Sequence, residues 1–144
     1  MINCSISGSF EKIISNNITG TTIDSTSYDE KSNSWLFIFS NKTSIAFYGI
    51  WRLFKNSKLY VTSNDHGQLF GQKKPFNAVE ILYELKEYKI TSCIINKKST
   101  DINIRFNKIF ELEFISDSAG NENWIISVSG GKDYIGHGYD ISMY

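Results

Sequence analysis

The stretch DINIRFNKIFELEFIS, residues 101 to 116, constrains the fold more than any other part of the chain. Ile102, Ile104 and Phe106 alternate with polar residues, and Phe110, Leu112 and Phe114 do so again beyond Asn107-Lys108. A period of two places each triplet on one face of a strand. A two-residue turn would set Ile104 opposite Glu111 and mix the faces. A three-residue loop, Asn107 to Ile109, instead pairs Phe106 with Phe110, Ile104 with Leu112 and Ile102 with Phe114. The three-residue loop is therefore expected, with Asn103, Arg105, Glu111 and Glu113 on the wetter face. A sheet with one such apolar face needs a second layer to cover it.

Other segments extend this pattern. SWLFIFS and TSIAFYG flank Asn41-Lys42, and a two-residue loop there would set Ile38 opposite Ile45 and Leu36 opposite Phe47. Trp124, Ile126 and Val128 alternate before Gly130-Gly131. Both glycines suit the positive φ of a type I′ turn, a register that sets Ile126 opposite Ile135. The polar run STSYDEKSNS, residues 25 to 34, reads as a loop. One segment follows a helical period, PFNAVEILYELKEY: Asn77 is an N-cap, Glu80 completes a capping box, and Phe76 closes on Ile81 as a hydrophobic staple. Ala78, Ile81, Leu82, Leu85 and Tyr88 then form one stripe, with Glu80, Glu84 and Glu87 toward water.

With 144 residues, 41% of them apolar and 15% aromatic, the chain has material for one core and is not of disordered composition. The expected architecture is a single domain over residues 1–144 of the α+β class. It is mainly antiparallel sheet, half-barrel or sandwich-like, with one helix packed on it.

Few residues suggest chemistry. Cys4 and Cys93 are far apart and show no metal-ligand spacing; a buried thiol is expected at Cys93. No metal or cofactor is expected. MINCSISGSF lacks a basic leader and a long apolar run, no segment reaches membrane-spanning length, and no membrane partner is expected, so the cytoplasm is the expected compartment.

SNDHGQLFG, residues 63 to 71, sets Asp65 beside His66. A small ligand-binding or hydrolytic domain would use this loop, with Trp51 near a pocket, yet adjacency in sequence does not give the geometry of a triad. No nucleophile elbow, phosphate-binding glycine loop or HExxH pair accompanies it. The structural expectation is a turn in which Asn64 and Asp65 fold back on their own backbone, Gly67 takes positive φ, and the His66 imidazole bonds across the loop.

Net charge is zero, but its distribution is uneven. Residues 1–108 carry fourteen basic and nine acidic side chains, a net +5, and residues 109–144 carry one basic and six acidic, a net −5. Neutrality overall argues against a nucleic-acid partner, although FNKIF and WRLFKNSK interleave aromatic and basic residues.

Trp35 opening an apolar strand, Trp51-Arg52, TSNDHGQLFG, a short helix, DINIRF and LEFISDSAGNENW before a glycine-punctuated end together resemble a family of small, functionally uncharacterised bacterial proteins. The likeness spans roughly residues 34 to 138. Where that family tends to have an aromatic after the glycine of its SxGxExW element, this chain has Asn121 after Gly120. Glu122 and Trp124 keep their places, and the terminal glycine cluster is reduced to GHGYD. Proteins of this type are similar to immunity proteins of bacterial toxin systems such as contact-dependent growth inhibition. The resemblance implies direct binding and neutralisation of a cognate toxin, often a nuclease, with no catalysis by the chain itself. A nuclease is basic because it binds phosphate, so the acidic last third offers the contact: Glu111 and Glu113 on the hairpin, Asp117 and Glu122 in the loop that follows.

Overall fold

The computed structural model describes the backbone of residues 2–144 and the side chains from residue 10 onward; Cys4 lies outside the described side chains. The chain opens with helix α1 (Ile2–Ile18) and continues through strands β1 (Ile23–Asp29), β2 (Ser34–Phe39), β3 (Ser44–Phe47), β4 (Ile50–Lys55) and β5 (Lys58–Thr62). A 3-10 turn (Ser63–Asp65) and a long loop lead to α2 (Ala78–Leu82), which passes into a second 3-10 turn (Tyr83–Leu85). The remaining strands are β6 (Ile90–Ile95), β7 (Ile102–Phe106), β8 (Phe110–Ile115), β9 (Glu122–Ser127), β10 (Asp133–His137) and β11 (Ile141–Met143).

They form two sheets, ordered β1-β2-β3-β9-β10-β11 and β5-β4-β8-β7-β6, with every pairing antiparallel. The apolar rows face each other. Across the first sheet, one lateral row runs Tyr28, Trp35, Phe47, Trp124, Gly136, Ile141. Across the second, Trp51, Phe114, Ile102 and Ile95 form another. Aromatic edges join them: Phe114 meets Phe37 at 5.1 Å and Phe47 at 4.8 Å, and Trp35 meets Trp51 at 5.1 Å between ring centroids. This is the α+β, sandwich-like, mainly antiparallel architecture that strand alternation requires.

A sandwich of flat layers leaves two open sides, and each helix fills one. Helix α1 packs against β6 and β11, burying Ile14 and Ile18 and setting Phe10 edge-on to Tyr134 at 5.5 Å. Ser15 Oγ donates to Cys93 O at 2.6 Å and locks that seam. Helix α2 and its 3-10 extension pack against β1 and β5 through Ala78, Leu82 and Leu85.

The β7–β8 hairpin adopts the three-residue loop, with Phe106 opposite Phe110, Ile104 opposite Leu112 and Ile102 opposite Phe114. The other two hairpins differ from expectation by one residue each. Between β2 and β3 the loop is Ser40–Asn41–Lys42, closed by Phe39 N–H on Thr43 O, with Lys42 at φ +73°. Phe37 therefore faces Ile45, Trp35 faces Phe47, and Leu36 and Ile38 turn outward. Between β9 and β10 the loop is Ser129–Gly131, only Gly130 has positive φ, and Ile126 pairs with Tyr134 rather than Ile135. Residues 25–29, expected as loop, are part of β1: Asp24, Ser25, Ser27 and Asp29 face outward while Ile23 and Thr26 point inward. Helix α2 is capped by the Asn77 side chain on Val79 N–H at 3.0 Å, without the Glu80 half of a capping box, and its α-helical part is five residues long.

Gly136 sits under the ring of its cross-strand partner Trp124; a β-carbon there would lie 2.1 Å from the indole. Gly136→Ala is expected to destabilise the protein by about 3 kcal/mol, the cost of overpacking a filled core. Gly120→Ala, with open space around it, serves as the control and should change stability by less than about 0.5 kcal/mol. Urea unfolding of both variants measures the difference.

Candidate functional site

The strand register sorts the connections into two poles. The direct crossing from β3 to β4, residues 48 and 49, fixes one pole, because Trp35, Phe47 and Trp124 end the neighbouring strands beside it. Loops 30–33, 96–101, 116–121 and 138–140 emerge at the same pole. The turns at 40–42, 56–57, 107–109 and 129–131 occupy the other.

Charge follows this division. Around the first pole stand Asp29, Glu30, Asp101, Asp117, Glu122 and Asp140 against Lys31, Lys97 and Lys98, six against three, a net −3. The opposite end carries Lys42, Lys55, Lys58, Lys86, Lys89, Lys108 and Lys132 against Asp24, Glu84, Glu87 and Asp133, seven against four, a net +3. The sandwich thus has an end-to-end charge polarity, to which the acidic last third contributes Asp117, Glu122 and Asp140.

Buried polar side chains hold the acidic-pole loops. Asn123, 1% exposed, accepts from Asp117 N–H at 3.1 Å and Ser118 N–H at 3.2 Å and donates to Ser118 O at 2.8 Å. Thr100, 2% exposed, donates from Oγ1 to His137 O at 2.7 Å, and its hydroxyl also lies 3.1 Å from Ser116 Oγ. Its carbonyl accepts from the Trp124 indole at 2.9 Å. Asp101 accepts from Ser116 N–H at 2.7 Å, and a His137 ring nitrogen lies 3.3 Å from Gly120 O. Three loops distant in sequence are therefore joined through main-chain bonds to side chains. Asp117, Glu122, Asp140 and Tyr139 remain on the outside, with Tyr48 beside them, its N–H bonded to Asn123 O.

The four acidic residues expected at a contact do not form one patch. Glu111 and Glu113 lie on the outer face of the second sheet, where each has a partner. Glu113 Oε1 accepts from Arg52 Nε at 2.9 Å and Nη2 at 2.7 Å, and Glu111 accepts from Asn103 while standing opposite Arg105 in the ladder. Two arginines balance two glutamates on that face. Asp117 and Glu122 belong to the acidic pole, and among the described residues their carboxylates have no hydrogen-bond or ion-pair partner. Sequence reasoning passed over Asn123 and Thr100; an asparagine inside the apolar ENWIIS run was the available signal for the first.

Asp65, His66 and Gly67 lie at the β1–β5 side. Asp65 Oδ2 accepts from Thr62 N–H at 2.9 Å and Thr62 Oγ1 accepts from Asn64 N–H at 3.2 Å, a capping box around the 3-10 turn. Gly67 has φ +83°. His66 Nδ1 accepts from Ala78 N–H at 3.1 Å, which places the ring proton on Nε2, and the ring packs edge-on to Tyr28 at 4.9 Å and Trp35 at 5.3 Å. A triad carboxylate accepts from the histidine Nδ1–H; here both groups accept from main-chain N–H instead. Among the described residues no three His, Cys, Asp or Glu side chains converge as metal ligands. Cys93 is buried at 3% exposure beneath α1, and burial pushes its thiol up to about 12.

Comparison of the chain with protein-family models, with curated proteins and with solved structures finds no match.

Replacing His66 by Ala removes the acceptor for Ala78 N–H and the edge contacts to Tyr28 and Trp35. A loss of about 1 to 2 kcal/mol is expected in chemical denaturation. Unchanged stability would show that the imidazole does not fasten α2. A Cys4→Ser variant isolates Cys93. At pH 8 its thiol stays protonated, so labelling by an ionic disulfide reagent should run about a hundredfold or more slower than in denaturant. Comparable rates would place Cys93 at an open surface.

Proposed function

We propose that the protein is an immunity protein that binds and neutralises a bacterial toxin in the cytoplasm, the acidic pole meeting a basic toxin domain such as a nuclease. The end-to-end charge polarity carries this reading. A nuclease surface is positive because its substrate is a polyanion, and a net-negative pole with outward carboxylates presents the complementary field. Tyr48 and Tyr139, 39% and 66% exposed, add the aromatic area on which interface energy concentrates. Preorganisation supports it as well. Loops already ordered by Asn123 and Thr100 lose little conformational freedom when a partner arrives.

Within this proposal Asp117 and Glu122 are contact residues, joined by Asp140 and the two tyrosines. Glu111 and Glu113 have a different part. Their bonds to Asn103 and Arg52 tie β8 to its neighbours, and reversing Glu113 would set a lysine against Arg52, so a binding loss in that variant would be mixed with a loss of stability.

The test takes as its probe the C-terminal domain of a large secreted protein, where one is encoded beside this gene. Wild type should bind it, and raising salt from about 50 to about 500 mM should slow association roughly tenfold. Asp117→Lys, Glu122→Lys and Asp140→Lys combined should weaken binding, flatten the salt response and rescue growth poorly on co-expression, at unchanged melting temperature. Full rescue by the triple variant with salt-independent association would remove the acidic pole from the interface.

A further inference from the structure

Residues 67–76 form a second outward-facing element, on the β1–β5 side of the sandwich. The base of this loop is closed by Gly67 N–H on Phe76 O at 2.8 Å and Phe76 N–H on Gln68 O at 2.7 Å, beside the His66 bond to α2. At its tip Gln72 N–H bonds Leu69 O at 2.7 Å, with φ +47° at Phe70 and +76° at Gly71. Two successive positive φ values define a type I′ turn, whose first central position favours Asn or Gly. An aromatic side chain there is strained; its ring meets Phe76 edge-on at 5.8 Å yet stays 61% exposed, beside Leu69 at 52%. One edge contact leaves most of the ring in water, and strain kept for such a ring points to a use outside the molecule.

Charge narrows the use. From His66 to Val79, fourteen residues, the chain has no carboxylate, and it carries Lys73 and Lys74, both exposed. We propose that this loop docks on an anionic lipid surface, Leu69 and Phe70 entering the interfacial region while Lys73 and Lys74 pair with headgroup phosphates. A protein pocket takes one anchor in a matched cavity, whereas two adjacent exposed apolar side chains at a turn suit a surface without fixed shape. The main-chain donors of Gly67, Gln68 and Phe76 are bonded at the base of the loop, and Gln72 N–H closes the turn on Leu69 O, so the loop keeps its shape while the tip side chains reach only the interfacial region. The contact is peripheral: none of the described helices is long and apolar enough to cross a membrane. It is independent of toxin binding at the acidic pole.

Co-sedimentation of the full chain with vesicles tests the proposal. With phosphatidylcholine vesicles containing about 30 mol% phosphatidylserine, half of the protein should pellet near 1 mM accessible lipid, on the order expected for a single short anchor with two lysines. Pure phosphatidylcholine vesicles should retain little. Phe70→Asn should weaken binding about tenfold while leaving the melting temperature unchanged or raising it by about 2 to 4 °C, because Asn suits the left-handed position. Lys73→Glu with Lys74→Glu should abolish the preference for phosphatidylserine. Equal pelleting of wild type and Phe70→Asn, or none at about 5 mM lipid, overturns the proposal. A clear fall in the melting temperature of Phe70→Asn overturns it too, by showing the ring to be an internal clasp. So does concentration-dependent self-association of the wild type that Phe70→Asn abolishes, since the occupant is then a second copy.

Discussion

Phe114 is the wedge on which the sandwich depends. Its ring stands edge-on to Phe37 and Phe47 of the opposite sheet, and Trp35 and Trp51 repeat the arrangement one strand along in the same rows as Phe47 and Phe114. Edge-to-face pairs of this kind contribute about 0.5 to 1.5 kcal/mol each beyond area burial, and they fix the distance between the layers. They also fix register, because a one-residue slip of β2, β3, β4 or β8 would turn these rings into water and bring Leu36, Ala46, Arg52 or Glu113 inward. The two helices and the glycine beneath Trp124 accommodate that spacing. Gly136 gives way to the largest side chain of its row, and α1 and α2 cover the sides that two rigid layers leave open.

This dependence explains what the sequence disclosed. The β7–β8 register was legible because the wrong loop would have set Glu111 against Ile104, so alternation itself excluded it. In SWLFIF and NWIIS apolar residues occupy both faces, and no misplaced charge penalised the two-residue turn. Turn preference then stood alone and erred by one residue twice. The physical arbiter was the opposite sheet, whose aromatic edges demand Phe37 and Trp35 inside; those edges belong to Phe114 and Trp51, on strands that alternation in β2 does not report. Helix α1 was illegible for a related reason. Its Gly8, four serines and three asparagines are weak helix formers, and the helix is held by packing on β6 and β11 rather than by propensity.

The candidate sites divide along the same line. SNDHG was readable as a turn because its bonds are local: Thr62, Asn64 and Asp65 satisfy one another within four residues. The partner of His66, the N–H of Ala78, lies twelve residues on, and only the type of bond could be anticipated. The acidic pole could not be assembled from the chain at all. Asp101, Asp117 and Asp140 converge because β6–β7, β8–β9 and β10–β11 all turn at one end, a consequence of topology. The acidic third of the sequence contributed only part of it, and Glu111 and Glu113, chosen by proximity in sequence, were drawn to Asn103 and Arg52 on the sheet face instead.

The DHG segment can now be understood through what it holds. Asp65 closes the 3-10 turn after β5, His66 bonds the first residue of α2, and Gly67 begins the loop in a conformation that other residues resist. Because both ends of residues 67–76 are fastened within this small space, the loop can sustain the left-handed Phe70 at its tip without unravelling. The Asp-His pair fastens the base of this loop, through the Asp65 carboxylate on Thr62 N–H and the His66 ring on Ala78 N–H. Its place against Tyr28 and Trp35 joins that geometry to the same inter-sheet aromatic layer that sets the register of the strands.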